Sequence, residues 1–210
     1  VGVAWADQSR QDIFFQIYEP DGRKRFAEPV NVSASPRIFS WLPKIVIGSG
    51  DAKEAFVLWQ EIVFSGGTHG GEIFFARSTD GGKTISDPIN LSNTIAGDGK
   101  GRLTQRLWDN GSLDLGVGPQ GDLYAAWTEY EGHLWFSRST DGGDTFSDPL
   151  RIAGGHDAKP ARGPSLAVDA EGTVYLAWTV GEDKAADIRF AKSVDHGRSF
   201  GEPRIVFESG

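Results

Sequence analysis

The chain is 210 residues long, with 28 glycines, no cysteine, no methionine and a formal net charge of −8 at pH 7. The acidic balance argues against nucleic acid as a partner, since its binders carry a basic face, and the missing cysteines exclude disulfides and thiol chemistry. No apolar run approaches the roughly 18 residues of a membrane helix, and no charged-then-apolar signal segment opens the sequence.

Four similar units follow one another. The first opens at "VGVAWAD", a strand ending near a tryptophan, and reaches the turn in "IYEPDGRKRFAEP". The second reads "LPKIVIGSG", "EAFVLWQE", "EIFFARST" and "DPINLSN"; the third reads "SLDLGVGPQG", "DLYAAWTE", "HLWFSRST" and "DPLRIAG". The fourth gives "PSLAVDAEG", "TVYLAWTV", "DIRFAKSV" and "EPRIVFES". Each full unit is thus four short β-type runs, with a tryptophan in the second (Trp59, Trp127, Trp178; Trp5 in the first unit) and an aspartate turn after the third. The turn aspartates Asp21, Asp80, Asp141 and Asp195 recur at roughly 55–60-residue intervals, the period of a β-propeller blade. The predicted architecture is all-β, with four-stranded antiparallel blades near 1–35, 41–95, 111–155 and 163–209 in one domain or arc and no substantial helix. The first blade lacks its innermost strand.

The turn phrase is the most repetitive feature: "FFARSTDGGKTISDP", "WFSRSTDGGDTFSDP" and "RFAKSVDHGRSFGEP". A phosphate-binding loop is excluded, because it needs a glycine where Arg77 sits and the second copy puts Asp144 in the place of Lys83. A hairpin turn fits instead. Aspartate accepts bonds from nearby backbone N–H groups, glycine tolerates positive φ, and the aromatic folds beneath as a plug.

These three copies, Ser78–Ile85, Ser139–Phe146 and Ser193–Phe200, resemble the Asp-box of the sialidase-like (BNR-repeat) propeller superfamily. The resemblance covers essentially the whole chain. It implies that Ser78, Asp80, Gly82, Ser139, Asp141, Gly143, Phe146, Ser193, Asp195, Gly197 and Phe200 are structural and lie opposite the ligand face. It also implies a ring of six or seven blades, of which these are an arc.

The opposite face holds the candidates for chemistry. An acid follows each of the first three tryptophans by two residues (Asp7, Glu61, Glu129), and an arginine precedes each first strand (Arg37, Arg106, Arg162). Arginine forks bind carboxylates bidentately, which suits an acidic sugar; the same acids also serve as strand-end caps or as partners of those arginines. Trp41 and Trp108 stand in loops beside arginines, suited to glycan or protein contact or to sealing a blade junction. "RGPSLAVDAEGTVYLAW" resembles the Arg-Ile-Pro segment of sialidases, with Arg162 and Pro164 matching and Gly163 replacing the isoleucine. The resemblance places a general acid at Asp183 or Asp187 and asks for a tyrosine nucleophile. Tyr130, between Glu129 and Glu131, is the loop tyrosine, either a nucleophile or a loop aromatic; Tyr124 and Tyr175 read as core. The histidines have no metal-ligand spacing, so neither metal nor cofactor is expected.

The expected function is an exported recognition or scaffold module that binds a glycan or another protein on the loop face. The alternative is a portion of a retaining exo-sialidase or related glycoside hydrolase. The expected location is secreted, periplasmic or cell-surface, with missing blades, another subunit or a second copy completing the ring.

Overall fold

A computed structural model describes residues 1–35, 38–48, 54–65, 68–93, 112–129, 132–154, 159–181 and 186–209, without the side chains of 62–70. Fifteen strands form four antiparallel sheets, and the described residues contain no helix. The first sheet is β1 (Gly2–Asp7), β2 (Asp12–Ile17) and β3 (Val30–Asn31). The second is β4 (Phe39–Ile47), β5 (Ala55–Ser65), β6 (Thr68–Ser78) and β7 (Ile89–Asn90). The third is β8 (Leu113–Val117), β9 (Leu123–Thr128), β10 (Leu134–Ser139) and β11 (Leu150–Ala153). The fourth is β12 (Ala161–Val168), β13 (Val174–Val180), β14 (Asp187–Ser193) and β15 (Arg204–Phe207). Every sheet is a meander, each strand paired with its neighbour in sequence, as expected of blades. Trp5 lies on β1 where Trp59, Trp127 and Trp178 lie on second strands, so the first sheet shows the second to fourth strands of the repeat.

The sequence pattern explains the layering. Along β13, Val174, Leu176, Trp178 and Val180 are buried and the intervening residues half-buried, the period-two signature of a pleated strand. β9 is buried at all six positions. The chain forms two compact units, Val1–Gly99 and Lys100–Gly210, of two sheets each. In the first unit Ile13, Phe15 and Ile17 pack with Val57 and Trp59; in the second, Tyr124, Leu134 and Phe136 pack with Val174, Leu176 and Trp178. Trp59, Trp127 and Trp178 are at most 2% exposed. Removal of one such indole costs about 3–5 kcal/mol.

The turn phrase does what its composition requires. Ser139 Oγ donates to Asp141 at 2.7 Å and accepts the Gly143 N–H at 2.8 Å; Asp141 accepts the Thr145 N–H at 3.0 Å and its hydroxyl at 2.6 Å. The Ser78–Asp80–Thr84 and Ser193–Asp195–Ser199 turns repeat these bonds. The Thr145 hydroxyl and N–H, and then Ser139, hold the Asp141 carboxyl well below the usual carboxylate range. Gly82, Gly143 and Gly197 all take positive φ. At Gly197 the reason is also contact, since an added Cβ would lie 2.9 Å from Phe136.

Candidate functional site

Away from the aspartate turns, each sheet carries a facing pair of residues on the repeat's second and third strands or beside the connection between them. The ladders place Asp7 opposite Asp12, Glu61 opposite Glu72 and Val180 opposite Asp187. In the third sheet Glu129 faces His133, whose carbonyl accepts the Glu129 N–H at 2.9 Å. The sequence pattern pointed to Asp7, Glu61 and Glu129, and the family resemblance to Asp187. In the first, second and fourth sheets the second member does a separate job, tying down the end of the fourth strand. Asp12 accepts from Asn31 at 2.8 Å, from the Ser33 hydroxyl at 2.9 Å and from the Ser35 N–H at 3.1 Å. Glu72 accepts from Ser92 at 2.6 Å, and Asp187 from the Ser209 N–H at 3.1 Å. A repeated Asn-x-Ser, Asn31–Ser33 and Asn90–Ser92, is the signal that finds this clamp.

The three acids after the tryptophans have three different fates. Asp7 caps its own hairpin, accepting from the Ser9 hydroxyl at 2.7 Å and the Ser9 and Arg10 N–H groups. These bonds, the Ser9 hydroxyl first, pull its pKa down. Glu61 was expected in a loop; β5 runs on to Ser65, so it lies inside a strand, 4% exposed. It accepts the Trp59 indole N–H at 3.2 Å. Burial pushes the Glu61 carboxyl up, against the hydrogen bonds from Ser35 and Trp59, and the nearby Asp12 charge adds to the rise. No such acceptor stands beside Trp178, where Val180 replaces the acid, and its indole N–H is buried with none among the described residues.

Glu129 belongs to a polar cluster of the second unit. Its carboxylate meets His133 Nδ1 at 3.2 Å, and both side chains are mostly buried. Its main-chain carbonyl accepts from Arg162 Nη1 at 3.0 Å, and the same Nη1 reaches the Ala161 carbonyl at 3.0 Å. The Ala161 N–H bonds the Gly132 carbonyl, and Gly132 at φ +86 admits Pro160 where a Cβ would sit. Ser112 Oγ accepts the Gly163 N–H at 2.9 Å and contacts Thr128 Oγ1 at 2.8 Å. So β12 is laid onto the β9–β10 connection by a polar seam, with Arg162 at its centre.

The first strands of the second and fourth sheets carry the same irregularity. In β12 the register jumps from Arg162–Thr179 to Ser165–Ala177, and in β4 from Trp41–Gln60 to Lys44–Leu58. The skipped residues are Gly163-Pro164 and Leu42-Pro43, with Gly163 and Leu42 both at positive φ. Arg162 therefore corresponds to Trp41, while Arg37 lies four residues upstream of Trp41 in sequence. Neither Arg162 nor Trp41 lies before the first strand or in a loop: both are strand residues, and Trp41 leans on Phe39 with ring centroids 5.4 Å apart. Asp187 opens β14. Tyr124 is fully buried, its pKa pushed up to about 12 by burial and then by Asp122. Tyr175, expected in the core, is only half-buried, and its hydroxyl donates to Asp169 at 2.7 Å. Arg37, Arg106, Trp108, Tyr130 and Asp183 lie outside the described residues.

No protein-family model matches the chain, and no curated protein does. Solved structures do. An ulvan lyase superposes with a TM-score of 0.64 at 16% identity, covering 99% of this chain and 56% of its own. The α-L-arabinanase of Penicillium chrysogenum gives 0.56 at 15% identity, covering 79% of this chain and 49% of its own. The NanB sialidase from Streptococcus pneumoniae gives 0.61 at 9% identity, covering 98% of this chain and 51% of its own. The chain spans about half the length of each. At these identities the likeness establishes fold, and the fold is that of a sialidase-like β-propeller.

Proposed function

We propose that this is an Asp-box propeller module that recognises a glycan or another protein through the ends of its blades that carry Glu129 and Arg162. The single observation behind this reading is the Arg162 seam. An arginine fork, a carboxylate–histidine pair and serine and threonine hydroxyls converge at one end of the second unit, away from the aspartate turns. Such a set offers charged and neutral hydrogen bonds to sugar or peptide groups. The names of the solved structures support a carbohydrate ligand, since the three described above act on glycans. An exported location belongs to the same reading.

Recognition is preferred over hydrolysis because the repeated acids are already occupied: Asp7 in a turn cap, Glu61 beneath Trp59, Asp187 at the Ser209 N–H. A retaining glycosidase needs its carboxyl or tyrosine groups open to the sugar. The one observation that favours hydrolysis is the Glu129–His133 pair beside Arg162. Glycan-array binding of the protein, run beside release of fluorophore from an aryl sialoside, decides between the two. Saturable binding without release supports recognition; release that Glu129→Gln abolishes overturns it.

A further inference from the structure

In each sheet the repeated tryptophan faces one residue of the next strand across the ladder. The pairs are Trp5–Phe14, Trp59–Phe74, Trp127–Trp135 and Trp178–Arg189. Residues directly opposite in an antiparallel pair share a face and lie side by side. Trp5 and Phe14 stack with ring centroids 6.2 Å apart, and Trp59 and Phe74 with centroids 6.0 Å apart. The fourth sheet breaks this series: a guanidinium stands where the other sheets have an aromatic ring.

A second exchange falls two residues beyond the tryptophan. Trp59 donates its indole N–H to Glu61, and the fourth sheet has Val180 where that acid belongs. Together the exchanges add a charged donor and remove an acceptor at one spot. Trp178 Nε1 and Arg189 Nε are both buried, and neither has an acceptor among the described residues. No carboxylate among those residues forms an ion pair with Arg189. The spot lies in the packed junction of the third and fourth sheets, where Trp178 is 2% exposed in one cluster with Leu134, Phe136, Leu176 and Val180. A buried donor left without an acceptor costs the desolvation of that group, and a charged one costs more. In the third sheet the Trp135 N–H is buried likewise, but it is neutral and one water can serve it. Water does not cancel the charge of Arg189.

We propose that Trp178 Nε1 and Arg189 Nε together hold a small monovalent anion, a halide or a small carboxylate, between the third and fourth sheets. Two N–H donors and one positive charge match one anion of unit charge. Sulfate and phosphate fit poorly, because a doubly charged ion is far costlier to bring among apolar side chains. Two donors would also leave most of their oxygens without a hydrogen bond. The site is separate from ligand recognition at Arg162: it completes the core of the second unit.

The test follows the Trp178 indole N–H resonance of the whole chain while sodium chloride replaces sodium sulfate at constant ionic strength. A saturable shift is expected at Trp178 and none at Trp59, whose N–H Glu61 already takes. Arg189→Phe, which installs the second sheet's residue, should weaken chloride about tenfold or more. Val180→Glu, which supplies the second sheet's acceptor, should abolish the shift while Arg189 keeps its charge. Titration of the parent stands on its own should either variant fail to fold. Sodium formate in place of chloride identifies the source: saturation by chloride marks a halide site, and saturation by formate alone marks a carboxylate site. A Trp178 resonance indifferent to both anions overturns the proposal and leaves water as the partner. An equal shift at Trp59, or a Trp178 shift unchanged in Arg189→Phe, overturns it as well.

Discussion

Arg162 and Glu129 are joined through the Glu129 main-chain carbonyl. The guanidinium donates 3.0 Å to the Glu129 carbonyl, while the Glu129 carboxylate turns to His133. A hydrogen bond from a charged donor is worth about 1.5–3 kcal/mol. Arg162→Ala should therefore lower stability by roughly that amount, and Arg162→Lys by less. Thermal unfolding of the two variants checks this. Equal melting of the alanine variant and the parent removes the seam from the account.

Asp141 accepts the N–H and hydroxyl of Thr145 at once. Replacement by alanine leaves those donors without their acceptor, and the expected cost is about 1–2 kcal/mol, as for loss of a capping side chain. The carboxyls of Asp80, Asp141 and Asp195 are all held low. A depressed folded pKa gives stability that is present above the unfolded value and lost as pH falls through the folded one. Acid should therefore destabilise the chain progressively below the ordinary carboxylate range, and Asp141→Ala should flatten that acid limb.

Glu61 works in the opposite sense. Its pKa is raised, chiefly by burial, so the folded state holds the proton more tightly than the unfolded state does. Stability from this group is greatest at low pH and falls as pH rises from the unfolded pKa through the folded one. Glu61→Gln keeps an acceptor for Trp59 without the buried charge. It should melt higher than the parent at pH 8 and differ little at pH 4. A variant less stable at pH 8 contradicts the burial argument.

Two glycines separate backbone strain from contact. Gly121 has φ +85 and nothing within 4 Å of an added Cβ; Gly197 has φ +77 and the Phe136 ring at 2.9 Å. Alanine at Gly121 should cost about 1 kcal/mol, the left-handed penalty alone. At Gly197 the expected loss is about 2–4 kcal/mol, because overpacking adds to it. Similar losses at both positions, read from denaturant midpoints, speak against the seated turn.

Much of the fold was legible because it is written in local chemistry. A two-residue period, Asp-Gly turns and the buried Trp59, Trp127 and Trp178 are properties of short windows, and repetition raised them above background. The candidate site was less legible because it depends on register. The bulges at Leu42-Pro43 and Gly163-Pro164 each skip two residues, and only the register they set makes Arg162 the equivalent of Trp41. Strand length was the other hidden variable: β5 extends past Glu61, which turned an expected surface acid into a buried one. The facing residues Asp12 and Glu72 emerge only once the ladders pair them with Asp7 and Glu61.

The central claim is that the blade ends around Arg162 bind a ligand without cleaving it. Its most direct test is isothermal titration of the parent and Arg162→Lys with the best glycan-array ligand, followed by analysis of the recovered ligand for cleavage. A lysine keeps the charge and loses the planar fork, so the expected result is intact ligand and an affinity reduced about tenfold. Cleaved ligand, or affinity untouched by the substitution, contradicts the account.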